Sequence, residues 1–450
     1  MNGMGSRWIL GIALVLASGA ASGAALDGAE ILAGAEERIA AHRMGDVTLR
    51  LRGPDGEALA AGTKVRITQT KHAFLFGSNC YWLFSSSLDE PRFASEPEKA
   101  RLYEQYFTDI FNYATTPLYW TTYERERGKP RHDVTAASIA WGEKHGITIK
   151  GHPLAWNNYG QPGWLRGASP KEVMEAQLAR VERELTRFPG LIWDVINETA
   201  AYDREEAKRR GPEMTEAMRV VGPAAYTRQM HLAARKADPT AVLLTNDYVL
   251  NEKYKAHGIE PLVAEDLFDA IGMQSHMHGG TWSAEKTWAA CESFKGYGKP
   301  LHFTEVTITS GALDGQRKKR QDRNFEWVTT PEHEARQAKE VAEFYTVLFS
   351  HPAVEAITWW DFSDDRAWQD APAGFLRRDM TPKPAYEALK GLIKGKWWTE
   401  ETVTVGEGGT AKVRGFYGAY EVTVETGDRA LGGMFELVKD GKAEVQVPLE

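Results

Sequence analysis

LIWDVINE, residues 191–198, sets apolar side chains on both faces of an extended segment and ends it on an amide and an acid. Apolar runs of this length belong to strands buried on both sides, which occur in parallel sheets covered by helices. Seven further runs share the pattern: AFLFGSN (73–79), IFNYATT (110–116), ITIKGHPLAW (147–156), AVLLTNDY (241–248), DAIGMQSH (269–276), LHFTEV (301–306) and AITWWDF (356–362). Helical stretches such as PKEVMEAQLARVERELTRF and PEHEARQAKEVAEFYTVLFS fill the gaps. This repeated strand-then-helix order predicts an α/β chain closed into a (β/α)8 TIM barrel over residues 73–397, in preference to an open sheet.

Outside residues 73–397 the rhythm changes. After a helix expected from Ala29 to His42, DVTLRLRG and TKVRITQT alternate with period two around a turn-rich link. The tail beyond Trp398 has the same grammar in ETVTV, TAKVRGFYG, AYEVTVETG, GGMFELVKDG and KAEVQVPL. Together residues 26–72 and 398–450 supply about seven strands, enough for one small β-sandwich formed by the N- and C-terminal segments. The alternative is a carbohydrate-binding module in the tail, presenting Trp397, Trp398, Tyr417 and Tyr420.

Residues 1–25 combine one Arg, an apolar run from Trp8 to Ala17 and small residues up to Ala25, the pattern of a secretory signal. A secreted or periplasmic protein is therefore expected. The apolar run is too short to span a bilayer, and no later stretch approaches ~20 uninterrupted apolar residues, so no membrane partner is expected once the signal is removed. A formal net charge of −8 leaves no basic surplus for phosphates, which argues against nucleic acid. Cys80 and Cys291 are expected to stay unpaired, and the chain to act as a monomer. Fifteen Trp offer indole faces of the kind that stack on sugar rings, although most Trp are simply core.

In such a barrel the reactive groups stand at the C-terminal ends of the strands. The third run ends near His152 and Trp156, the fourth at Asn197 and Glu198, and the fifth at Asn246 and Asp247. The sixth ends at Gln274 and His276, the seventh at Glu305, and the eighth at Trp359, Trp360 and Asp361. Two carboxylates on opposite strands of one rim, among amide, imidazole and indole groups, are what glycosidic bond cleavage needs: a protonated acid for the leaving oxygen and an ionised carboxylate for the anomeric carbon. Glu198 and Glu305 are the candidates.

The same residues carry a resemblance. W-D-x-x-N-E (193–198), G-H-x-L-x-W (151–156), N-D-Y (246–248), Q-S-H (274–276), T-E (304–305) and T-x-W…D…W (358–368) look like glycoside hydrolase family 10, the retaining endo-β-1,4-xylanases. The resemblance covers about residues 73–395, in order, at six strand ends. It implies Glu198 as acid/base, Glu305 as nucleophile, a double displacement on xylan or xylo-oligosaccharides, and no cofactor. It also implies that Asn197 holds the 2-hydroxyl, that His152, Gln274 and His276 line the cleavage subsite, and that Trp360 and Trp368 wall it. Trp156, Asn246 and Trp120 join them as expected substrate-binding residues.

The sequence departs from the family at three places. Where the family carries E-N-x-x-K-W, this chain has TTPLYW (115–120), keeping only Trp120; Asn157 replaces a common His, and Asp361 a common Gly. A different or decorated β-glycan is the second reading, and a barrel that binds glycan without cutting it the third. His276, His278 and His302 also admit a metal reading, although no metal is expected. The basic run Arg317–Arg320 within residues 316–323 reads either as a solvated loop or as a contact for acidic sugar branches. Asp194 reads as a buried structural acid paired with a neighbour.

Overall fold

The computed structural model describes residues 26–88, 90–426 and 429–450, so the expected signal segment lies outside the described residues. Two short helices lead into β1 (Met44–Arg52) and β2 (Lys64–His72). The barrel strands follow: β3 (Leu75–Asn79), β4 (Tyr113–Pro117), β5 (Thr148–His152), β6 (Ile192–Asn197), β7 (Val242–Asp247), β8 (Ala270–Met277), β9 (Leu301–Ile308) and β10 (Val354–Trp359). All pair in parallel, and β10 closes on β3. The chain is thus a (β/α)8 TIM barrel. Each run read as a strand contains one, with shifts at the ends that have local causes. Ile110 completes helix Pro97–Ile110 instead of opening β4. Pro153 has no N–H and interrupts the third run at His152, yet Leu154 and Ala155 resume bonding to the carbonyls of Asp194 and Val195.

Local chemistry sets the crossover helices. Ser169 and Glu172 form a capping box at the start of helix Pro170–Arg187, whose first residue is Pro. Thr330 caps helix Pro331–Ser350 in the same region of its chain. Gly151 in β5 is a packing requirement: a Cβ there would stand 2.3 Å from the Trp193 ring. Two register shifts fall beside the rim, between Asp194 and Ile196 where β6 meets β7, and between Met273 and Gln274 where β8 meets β9. Such irregularities re-aim the following side chains.

The tail contributes β11 (Glu400–Thr404), β12 (Thr410–Phe416), β13 (Gly418–Thr426), β14 (Arg429–Leu437) and β15 (Glu444–Pro448). They combine with the N-terminal strands in two sheets, β12-β1-β15 and β11-β2-β13-β14. Val47, Leu49, Val65, Ile67, Val413, Val422 and Val447 fill the space between the sheets. Arg43 joins this sandwich to the barrel, donating to the carbonyls of Phe349, His351 and Val354. Val354 begins β10, so the sandwich sits against the N-terminal end of the barrel, opposite the rim formed by the C-terminal ends of the strands. Trp397 and Tyr420 are buried, and Trp398 lies under Lys394, 3.9 Å from its ring.

Candidate active site

Glu198 is the first residue beyond β6 and takes a left-handed conformation, φ 60°. A non-glycine residue held there stores about 1–3 kcal/mol of strain, which is offset by surrounding bonds. Its backbone N–H donates to the Asn246 carbonyl at 2.8 Å. Its carboxylate accepts from Trp156 Nε1 at 3.0 Å and from Arg204 Nη2 on Oε2, and from Gln274 Nε2 at 3.2 Å on Oε1.

Glu305, in β9, is 3% exposed. Oε1 accepts from Asn246 Nδ2 at 2.8 Å, and Oε2 lies 3.0 Å from His276 Nε2. Thr307 holds the other nitrogen of that imidazole at 2.9 Å. His152 Nε2 stands 3.9 Å from Oε1. Burial pushes the Glu305 carboxyl up, but the His152 charge, the bond and charge of His276, and Lys150 outweigh it and hold the carboxyl below its ordinary range.

Three amides connect the two acids. Asn246 Nδ2 bonds Glu305 and also Asn197 Oδ1 at 2.9 Å, while Gln274 Nε2 bonds Asn197 Oδ1 at 3.0 Å and Glu198. Thr304 fixes Asn246 from behind by donating to its Oδ1 at 2.6 Å. The chain Glu305–Asn246–Asn197–Gln274–Glu198 therefore joins four strands in one site. Asn197 Nδ2 is buried and bonds nothing in the protein, leaving a donor for a ligand.

Beneath this layer Asp194 Oδ2 meets Lys150 Nζ and His152 Nδ1, each at 2.7 Å, with all three side chains buried. Burial raises the Asp194 carboxyl, but Lys150 and His152 outweigh it and the group ends below its ordinary range. Asp247 accepts the backbone N–H groups of Ala200 and Val249 and so fixes the turn after Glu198; burial raises it to about 7. Asp361, also raised to about 7 by burial, accepts from the Trp368 backbone at 3.0 Å.

Aromatic rings complete the mouth. Trp360 stands edge-on to His152 and His276 at 5.4 and 5.7 Å, and Trp368, 46% exposed, covers His276 at 4.7 Å. Tyr81 meets both Trp360 and Tyr119 edge-on. Tyr119 stacks on Tyr159 at 4.5 Å and touches His152 and Trp156.

The family model for glycosyl hydrolase family 10 matches residues 79–392, from the end of β3 through the last barrel helix. The chain belongs to glycosyl hydrolase family 10. Among relatives of this family 10 hydrolase, endo-1,4-beta-xylanase B of Thermotoga neapolitana is 26% identical over 300 residues, covering 62% of this chain and 78% of that protein. An endo-1,4-beta-xylanase of Geobacillus stearothermophilus is 28% identical over 265 residues, 54% of this chain and 74% of its own length. The crystal structure of native xylanase 10B from Thermotoga maritima shares the fold with a TM-score of 0.55 at 23% identity, covering 72% of this chain and 96% of that one.

Ten of the eleven residues singled out in the sequence meet at the mouth of the family 10 barrel. Trp120 does not. Its indole is 4% exposed, packs edge-on to Trp164 and gives its N–H to Glu124, because the turn after β4 puts Tyr119, not Trp120, at the cleft. Cys80 and Cys291 are free and buried. The basic run lies in helix Gly315–Gln321, where Arg317 and Lys318 pair with Asp314 and Lys319 with Asp370. His278 packs edge-on to Trp368, while His302 is buried close to Lys150 and Asp194. Sequence reasoning passed over Lys150, Arg204, Tyr81 and Tyr119. A Lys inside the apolar run ITIKGH was the available signal for the first, since a buried ammonium requires a buried partner.

Proposed function

We propose that this chain is an exported, monomeric retaining hydrolase that cleaves β-1,4-linked xylan or xylo-oligosaccharides by double displacement. Glu198 gives its proton to the glycosidic oxygen while Glu305 attacks the anomeric carbon, forming a covalent glycosyl–enzyme and releasing the leaving sugar. Glu198 then takes a proton from water, which attacks the same carbon and restores the original configuration. The observation that carries this reading is the amide chain joining the two acids, with only Glu305 backed by two imidazoles. A carboxyl held ionised suits the nucleophile. Asn197, with its free Nδ2 beside Asn246, suits the sugar 2-hydroxyl. The xylanase names of the relatives support the substrate class.

A different or decorated β-glycan is favoured by one feature. Next to His152 the cleft presents Tyr119 stacked on Tyr159, whereas a polar grip on a sugar would need amide or charged side chains there. Product analysis of the wild type and of Glu305→Ala and Glu198→Ala on xylan, mixed-linkage β-glucan and aryl β-xylosides tests both readings. Xylo-oligosaccharides released by the wild type and not by Glu305→Ala are expected. Equal release by wild type and Glu305→Ala would overturn the assignment, and release from glucan alone would favour the second substrate.

A further inference from the structure

Arg204 follows Glu198 by six residues, at the start of helix Glu205–Arg210. One end of its guanidinium donates to Glu198 Oε2, and the other donates to the Tyr248 hydroxyl at 2.9 Å. The charge stands 5.4 Å over the Tyr248 ring, and Nε is buried without a hydrogen-bond partner. The side chain remains 24% exposed.

Its place on the rim gives it a side. β6 and β7, which carry Arg204 and Tyr248, stand across the barrel from β10 and β3, which carry Trp360 and Tyr81. Glu198 serves the leaving oxygen, so Arg204 and Tyr248 flank the leaving-group end of the cleft.

This arrangement conflicts with acid catalysis as it stands. Facing Glu198 are Tyr119 after β4, Trp156 after β5, Asp247 at the end of β7, Gln274 on β8 and Arg204 on its own segment; among these described residues Arg204 is the cation. Both oxygens of Glu198 are taken, Oε2 by Trp156 and Arg204 and Oε1 by Gln274, whereas an acid catalyst must turn one of them to the glycosidic oxygen when the bond breaks. The productive complex therefore needs a group that draws Arg204 away. Sugar hydroxyls compete poorly with a carboxylate for a guanidinium fork, while another carboxylate competes on equal terms.

We propose that Arg204 is a specificity residue that binds a carboxylate-bearing sugar, of the uronic acid class, on the leaving-group side, and that this exchange frees Glu198 Oε2 to face the glycosidic oxygen. The proposal rests on the hydrolase reading above. It is tested by kcat/KM for the wild type, Arg204→Gln and Arg204→Lys, on linear xylotetraose and on xylotetraose bearing one glucuronic acid branch.

The wild type is expected to favour the branched substrate by about tenfold or more, in line with a charge-assisted pair. Arg204→Gln loses that preference, and Arg204→Lys keeps part of it. A wild type that treats both substrates alike overturns the proposal. So does an Arg204→Gln variant that loses the same factor on both, the mark of a purely structural role. A wild type that cleaves neither substrate refutes the hydrolase reading itself, and the proposal falls with it.

Discussion

Replacing Asp194 by Asn removes the negative charge from a buried group in which Lys150 and Asp194 are each 0% exposed and His152 1%. The Lys150 ammonium is then left in the barrel interior without its counter-charge. Breaking one side of a buried ion pair costs about 3–5 kcal/mol. With about 2.1 cal/mol/K of unfolding entropy per residue, a barrel of roughly 320 residues has about 0.7 kcal/mol/K, so the melting temperature should fall by about 4–7 °C.

Removing both charges tests the cause. Lys150→Met with Asp194→Asn leaves no unpaired ion and should recover most of the loss, because buried pairs are often replaceable by neutral groups at little cost. Asp194 sits below its ordinary range when folded, so its contribution is present above about pH 4 and is lost as pH falls through the lower folded value. The difference between wild type and Asp194→Asn should thus hold at neutral pH and narrow only in acid. Calorimetric melting of the three proteins near pH 7 reads the effect. A shift below about 1 °C for Asp194→Asn, or a double variant no more stable than the single, would refute the electrostatic account.

Further expectations follow from other groups. His231 is buried and its imidazole is pushed down to about 4 by burial, so it binds its proton more readily unfolded. Stability carried by His231 is full above about pH 6.5 and lost towards pH 4, and a pH series of urea melts should show His231→Leu losing less in acid, by up to about 1.4 kcal/mol per pH unit. Asp361 has the opposite sign. Its folded carboxyl is raised to about 7, so its ionisation weighs against the fold progressively from about pH 4 to pH 7, and the gain in melting temperature of Asp361→Asn should be largest near pH 8 and vanish near pH 3. Trp120→Phe, which strands Glu124 from one donor, should cost about 0.5–1.5 kcal/mol in denaturant unfolding and leave KM unchanged. A raised KM would return Trp120 to the cleft.

The barrel was legible because strands covered on both faces read as apolar runs, and eight of them alternate with amphipathic helices. The sandwich was legible for the opposite reason, its period-two alternation with Gly and Asp turns. Strand-end position alone brought Glu198, Glu305, Asn197, Asn246, Gln274 and the two imidazoles to one rim. Pairings across the barrel were not legible. Nothing in DREEAKRR says which arginine turns back to Glu198, because that depends on the left-handed turn at Glu198 and on Tyr248, forty-four positions on. Trp120 and Tyr119 are adjacent, and whether the chain presents one or the other depends on how it turns after Pro117, where Leu118 N–H bonds the His152 carbonyl.

The central claim is that Glu305 attacks the sugar and Glu198 handles the protons. It is tested most directly by following the anomeric signals of a xylo-oligosaccharide by proton NMR during the first minutes of hydrolysis, before the free sugar equilibrates. The β-anomer should appear first, with the α-anomer growing only as mutarotation proceeds. Initial release of the α-anomer would mean a single displacement by water and would contradict the account.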